Sequence, residues 1–311
     1  MKWLLTLGCA LLAAGAQAQP APPLPAVVPI APAGQNVTVA TDQSARINVP
    51  VTIGGQTWHF VVDSASTRSV IASDVADSLG LAKGKPLRIL TIAGTDVVPS
   101  VIIPELGFAT FALDSIEAPS LARVNLGGDG LLGLDILRNN RITIDFRHAV
   151  ALSIAPSSRQ PPAARHDDPD TIVVTARSRL GELIVTDADI DGIPVAVIID
   201  TGSEDSIGNP ALAKMLFRSA SHQRLGPATL VSVTGRSMPA DYALVGKLQI
   251  GGVAIENVPM AFGDLATFRQ FSLIRRPAIL LGMQTLRLFA RVTIDFPRRQ
   301  IRFLLRRQVE F

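Results

Sequence analysis

Two short runs carry the residues best suited to chemistry. Asp63-Ser64-Ala65-Ser66 follows Trp58-His59-Phe60-Val61-Val62, and Asp200-Thr201-Gly202-Ser203 follows Val195-Ala196-Val197-Ile198-Ile199. An apolar run of this length reads as a buried strand, so the carboxylate that ends it emerges from a core into a poorly solvated loop. The hydroxyl residue after each Asp can orient that loop, and a Gly lets backbone amides approach the carboxylate closely. Two such loops related by an approximate two-fold axis put two carboxylates side by side. Like charges that close do not both ionise near neutrality, so the pair shares a proton. One member then acts as general base on a water while the other donates to a carbonyl oxygen.

The elements that must position these loops also occur twice. The first Asp is followed by Leu131-Leu132-Gly133-Leu134-Asp135-Ile136-Leu137 and then Ile142-Thr143-Ile144-Asp145-Phe146; the second by Leu280-Leu281-Gly282-Met283-Gln284-Thr285-Leu286 and then Val292-Thr293-Ile294-Asp295-Phe296. At the first landmark the period is 200 − 63 = 137 residues. Gly94 in TIAGT and Gly235 in SVTGR lie at matching places in the gaps and read as hairpin tips. Elsewhere the chain shows short β-branched runs bounded by Gly, Pro, Asn or Asp, which predicts a mostly β fold. Short helices are expected at Ser73 to Leu79 with Ser73 as N-cap, at Pro210 to Phe217, and after each LLG. Asp145 and Asp295 also recur, but each sits in an alternating strand before a positively charged turn and reads as structural.

Taken together, the two Asp loops and their downstream LLG segments resemble the retropepsin-like aspartic proteases. Val-Ile-Ile-Asp200-Thr201-Gly202-Ser203 with its LLG is similar to the catalytic-loop pattern of that family, and Asp63-Ser64-Ala65-Ser66 with LLGLDIL to its short-lobed branch. The resemblance implies an all-β fold of two pseudo-symmetric retropepsin-like lobes with short helices, fused in one chain. It implies that Asp63 and Asp200 are the catalytic pair, and that Ser64 and Thr201 interlock beneath them. Ser66 and Ser203 match a position whose hydroxyl can bond an outer carboxylate oxygen, which suggests lowered pKa values and an acidic optimum. The segments around Gly94 and Gly235 match flap hairpins closing over an extended peptide. No metal or cofactor is implied. Three departures stand out: Ala65 replaces the motif Gly, Gln284 stands where Asp135 stands in the first half, and the only Tyr is Tyr242, past the second hairpin tip. Two further readings follow from Ala65. One is a non-catalytic pseudo-protease that binds peptides; in the other only the second lobe is competent and two molecules pair their Asp200 loops.

Composition narrows the chemistry. Of 311 residues 48% are hydrophobic and 18% charged, net charge is +3, and the single Cys is Cys9. Residues 1–18, with Lys2, the apolar run Trp3 to Ala14 and Ala16-Gln17-Ala18, read as a cleaved signal peptide, so the expected location is periplasmic or secreted. A lipoprotein reading would need Cys9 as the acylated residue. Removal of residues 1–18 as a signal peptide leaves no Cys, which excludes disulfides, thiolate metal sites and a cysteine nucleophile. His59, His148, His166 and His222 lack paired ligand spacing, no G-x-S-x-G elbow is present, and Gly-Gly pairs have no phosphate-loop Lys after them. The Arg298 to Arg307 cluster interleaves with apolar residues as a terminal strand does, so no nucleic-acid partner is expected, and no later run is long enough to span a bilayer. Residues 19–34 and 156–170 are Pro-containing linkers that divide the chain into lobes at 35–155 and 171–311. The expected partner is a peptide or unfolded protein, and the expected state a monomer, with a homodimer as alternative.

Overall fold

The apolar run before each Asp is a strand held by the same three-strand arrangement in both halves of the computed structural model. The structure describes residues 6–7, 35–37, 39–41, 45–109, 111–147, 150–157, 171–179, 181–218 and 223–306. The signal-peptide and Pro-rich readings of residues 1–34, Thr6–Leu7 apart, lie outside these residues, as do His148, His166, His222 and residues 158–170 of the second linker.

In the first lobe Gln56–Val62 is buried over Phe60, Val61 and Val62 and ends at Asp63. Gly130–Leu132 lies parallel to it, with Gly130 opposite Phe60 and Leu132 opposite Val62, and pairs on its other side with antiparallel Val70–Ala72. The second lobe repeats this with Ala196–Ile199, parallel Ala278–Leu281 and antiparallel Ser206–Gly208. The LLG glycines permit the crossing. A Cβ on Gly133 would lie 2.5 Å from the Arg68 carbonyl carbon, and one on Gly282 2.3 Å from the Asp205 carbonyl oxygen. Ser69 Oγ accepts from Gly133 N at 3.0 Å and Ser206 Oγ from Gly282 N at 3.1 Å, so the same hydroxyl fastens each crossing.

Helices Leu134–Leu137 and Met283–Leu286 follow the two LLG segments as expected. Pro210–Leu216 has Pro at its start and Asn209 as N-cap, whose side chain accepts from Leu212 N. The helix near Ser73 runs Ser73–Ser78, but Ala72 is its N-cap and no side chain caps it, because the strand Val70–Ala72 runs directly into the first turn. An additional helix, Ala266–Gln270, packs its buried Ala266 and Phe268 into the second lobe.

One sheet joins the halves. Thr171–Arg179, Gln300–Leu304, Arg291–Asp295, Asn140–Asp145, Ala151–Pro156 and Gln35–Val37 are consecutive neighbours in it. Asn140–Asp145 pairs antiparallel with Arg291–Asp295, and Thr143 faces Thr293, with their Oγ1 atoms 3.2 Å apart. These two threonines hold the same place in the ITIDF and VTIDF repeats, so a residue pairs there with its own counterpart. Such self-pairing marks a two-fold axis. The apolar core runs through both lobes, from Ile47 and Phe60 to Phe289 and Phe303, with a second cluster around Phe268 and Phe271. Asp145 is paired with Arg147 and Arg291, and Asp295 with Arg298, as structural carboxylates are. Among the described residues no helix is long and apolar enough to cross a membrane.

Candidate active site

The axis that passes between Thr143 and Thr293 also passes between the two Asp loops. Ser64 N donates to Thr201 Oγ1 at 3.0 Å and Thr201 N to Ser64 Oγ at 3.2 Å. Each hydroxyl in turn donates to the strand of the other lobe, Ser64 Oγ to Ile199 O at 2.8 Å and Thr201 Oγ1 to Val62 O at 2.7 Å. Ser64 is 3% exposed and Thr201 1%, so these four bonds lie away from water. Removing either hydroxyl strands buried partners, at about 1–3 kcal/mol per group. The interlock ties the residue after Asp63 to the residue after Asp200, and so fixes the distance between the carboxyls.

Gly202 shows how tight that placement is. A Cβ built on it would sit 2.4 Å from Asp63 Cγ and 2.6 Å from Asp63 Oδ2. The second loop therefore backs directly onto the carboxyl of the first. Asp200 Oδ1 accepts from Gly202 N at 3.0 Å and Ser203 N at 3.1 Å, and Asp63 Oδ1 accepts from Ala65 N at 2.9 Å. Ala65 thus keeps the amide bond that Gly202 makes in the other loop. It is absent from the residues with positive φ, so its Cβ costs no backbone strain.

The hydroxyls of Ser66 and Ser203 differ from expectation. Ser66 Oγ donates to Arg68 O at 2.7 Å and Ser203 Oγ to Asp205 O at 2.9 Å. Each closes a local turn, and the backbone amide of Ser203 reaches the carboxylate in the hydroxyl's stead. The expected lowering of both pKa values is also reversed. Burial raises Asp63 above its ordinary 3.8, against the amides of Ala65 and Ser66 and the charge of Arg46. Asp200 is pushed up to about 7, first by burial and then by the Asp63 carboxylate. Desolvation outweighs the hydrogen bonds at both positions.

The two carboxyls line a cleft of about 410 Å³ between the lobes. Its roof is made by two hairpins. Leu87–Thr91 pairs with Gly94–Val98 in the first lobe, and Gln223–Val231 with Ser237–Ile250 in the second. They meet across the cleft: Asp96 accepts from Thr234 Oγ1 at 2.7 Å and Arg236 Nη1 at 2.9 Å. The first hairpin also rests on the second lobe, since Ile92 O accepts from Ala266 N at 2.9 Å. Tyr242 is not at a tip; its hydroxyl donates to Asp205 at 3.1 Å, which lies at the end of the second loop.

Sequence reasoning missed two residues of this site. Glu182 and Arg46 both line the cleft. Each occupies the same place on the strand pair of its own lobe. Asn48 faces Val61, which puts Arg46 level with Asp63; Ile184 faces Ile198, which puts Glu182 level with Asp200. The signal was hidden because the repeat carries opposite charges at this position. Gln284 Nε2 meets Glu204 Oε1 at 3.2 Å, whereas Asp135, its counterpart, accepts from Ser69 N and Oγ. Among the described residues no set of three or more His, Cys, Asp or Glu side chains is grouped as a metal site would be. No curated protein matches the chain. A family model described as aspartyl protease matches residues 49–136 and 186–285, one stretch in each lobe and together more than half of the sequence, so the chain belongs to the aspartyl protease family.

Proposed function

We propose that this member of the aspartyl protease family is an endopeptidase whose Asp63 and Asp200 share one proton and activate a water between them. The observation that carries the reading is the reciprocal Ser64–Thr201 interlock, which holds the two loops together across the two-fold axis. A carboxyl pair held in a desolvated cleft retains one proton over a wide pH range, because the second ionisation would place two charges side by side. Arg46 is level with Asp63 and favours its ionised form, while burial and the Asp63 carboxylate keep the proton on Asp200.

In the substrate complex Asp63 takes a proton from the water as that water attacks the scissile carbonyl carbon. Asp200 gives its proton to the carbonyl oxygen, and a neutral tetrahedral diol forms. Collapse of the diol breaks the C–N bond, with a proton passing to the leaving nitrogen and one returning to the pair. An extended peptide reaches the carboxyls by running beneath the hairpins and adding its backbone to them as a strand. The amide of Ala65 is in place on Asp63, which favours a working first loop over a peptide-binding pseudo-protease.

Incubation of the chain beginning at Gln19 with a peptide library from pH 3 to 8 tests the reading. Cleavage that is abolished in both Asp63→Asn and Asp200→Asn is the expected result; cleavage surviving both sinks the mechanism. Export is part of the same proposal. The N-terminus of the protein recovered from the producing cell is expected at Gln19, and a mature protein retaining Met1 would remove that part.

A further inference from the structure

Glu182 stands in the cleft without a part in that mechanism. It is 2% exposed, it lines the same space as Asp63 and Asp200, and its Oε2 has no hydrogen-bond partner among the described residues. A buried polar atom left unpaired costs stability and needs a physical reason. Core packing does not supply one, because the pseudo-symmetric position in the first lobe carries Arg46 and not an apolar residue. Both residues face the ligand space, one from each lobe.

The charge state of Glu182 follows from its neighbours. Asp200 is level with it and Asp63 lies just across the axis, so an ionised Glu182 would be a further anion beside a pair that already shares a proton. Burial, then Asp200, then Asp63 push it up to about 9. At pH 7 a group with that pKa is ionised in about one molecule in a hundred. Glu182 is therefore a neutral carboxylic acid throughout the range in which the pair holds its single proton. A neutral carboxyl offers one O–H donor beside one C=O acceptor. Its complement is a group with an acceptor beside a donor, which is a carboxamide. A cationic side chain fits worse, because it would first have to displace the proton. The main-chain amide at this point of the substrate is engaged by the aspartates, so the group left to reach Glu182 is a side chain.

We propose that Glu182 is a specificity-determining residue that reads an Asn or Gln side chain on a substrate residue flanking the scissile bond. The proposal rests on the peptidase reading for what it calls the scissile bond, but its test does not need turnover. Peptides with a reduced, uncleavable central bond are made with Gln, Met, Lys or Glu at each flanking position in turn. Their binding to the full mature chain is measured by calorimetry at pH 6 for wild type, Glu182→Gln and Glu182→Leu.

Wild type is expected to bind a Gln peptide on the order of tenfold or more tighter than its Met analogue, since a site built to hydrogen-bond a polar group rejects analogues lacking it. Glu182→Gln, which restores a donor beside an acceptor, keeps that preference. Glu182→Leu loses it while still binding the Met peptide, which also shows that the variant is folded. A Lys preference that vanishes in Glu182→Gln overturns the proposal in favour of a cation site, and equal affinities or no binding across the series overturn it outright. Peptides with ordinary bonds separate the two ideas. Gln preference in binding without any turnover removes the peptidase reading alone, and turnover without Gln preference removes the role of Glu182 alone.

Discussion

The two Asp loops do the same structural work with different residues. In the second, Gly202 backs onto the Asp63 carboxyl so closely that a Cβ there would lie 2.4 Å from Cγ. In the first, Ala65 already carries a Cβ at the corresponding position and still donates its amide to Asp63 at 2.9 Å. A strict two-fold arrangement would allow both or neither. The loops are therefore offset, with the tight approach on one side and room on the other. The flanks differ in the same sense, since Arg46 faces the first Asp and Glu182 the second. A fused chain is free to make these differences, which a symmetric pair of identical subunits is not.

The comparison breaks most readily at the carboxyls. Asp63→Asn and Asp200→Asn are each expected to lower kcat by 10³-fold or more, the upper range for acid–base groups that act together. A variant that kept substantial turnover would show that the loops are not partners, and single-turnover assays on both would reveal it. Next in size is Gly202→Ala. Forcing a methyl against Asp63 should cost about 1–3 kcal/mol of stability and on the order of 10²-fold in turnover. Ala65→Gly should change turnover little; a large gain there would mean that the native Cβ had spoiled the first loop. Thr201→Ala and Ser64→Ala remove one hydroxyl of the interlock each and should lower stability by about 1–3 kcal/mol, with non-additive effects in the double variant. Urea unfolding of the three proteins measures this.

The pH dependence sharpens the same asymmetry. The kcat/KM profile should fall above about pH 7 as Asp200 loses its proton. It should fall on the acid side as Asp63 becomes protonated, above the ordinary 3.8. Above the ordinary carboxylate range stability should fall as pH rises. Glu182 and Asp200 both have raised folded-state values, so the folded chain holds more protons than the unfolded chain once pH exceeds their ordinary values. Their contribution to stability is full below those values and is lost as pH rises toward about 7 for Asp200 and about 9 for Glu182. Glu182→Gln should therefore lose less of its Tm between pH 5 and 8 than wild type. The smallest effect is expected at the hairpins. The hydrogen bond from Thr234, followed by Arg236, holds the Asp96 carboxyl below its usual value, so this contact persists in mild acid and loosens only below the normal carboxylate range. Asp96→Asn should speed hydrogen exchange at the two tips while leaving the thermal midpoint nearly unchanged.

What the sequence made legible was what both halves spell alike. The apolar run before each Asp, the LLG and the ITIDF-type strand recur as residue types, and each recurrence marks a strand that both lobes need. The Ser64–Thr201 interlock is local to those motifs and was expected from family likeness. Glu182 escaped notice because its counterpart is Arg46, and a repeat search does not align an acid with a base. Asp96 with Arg236 was invisible for a different reason: contacts across a cleft follow no spacing along the chain. The chemistry of the Ser66 and Ser203 hydroxyls allows a bond to the carboxylates, yet they donate to the carbonyls of Arg68 and Asp205. The acidic shift failed with them, since burial and not hydrogen bonding dominates both aspartates.

The central sheet has a temporal consequence. Asn140–Asp145 finds its partner in Arg291–Asp295, one of the most distant pairings along the chain. Contacts closed over so long a loop form late and slowly, after the local hairpins. During synthesis the first lobe can collapse around Phe60 and Ile71 with its own Asp loop complete, but the second loop and the sheet that joins the halves are still missing. A nascent chain therefore carries one Asp loop without its partner until nearly its last strands have been made, and the paired arrangement is among the last features of the fold to form.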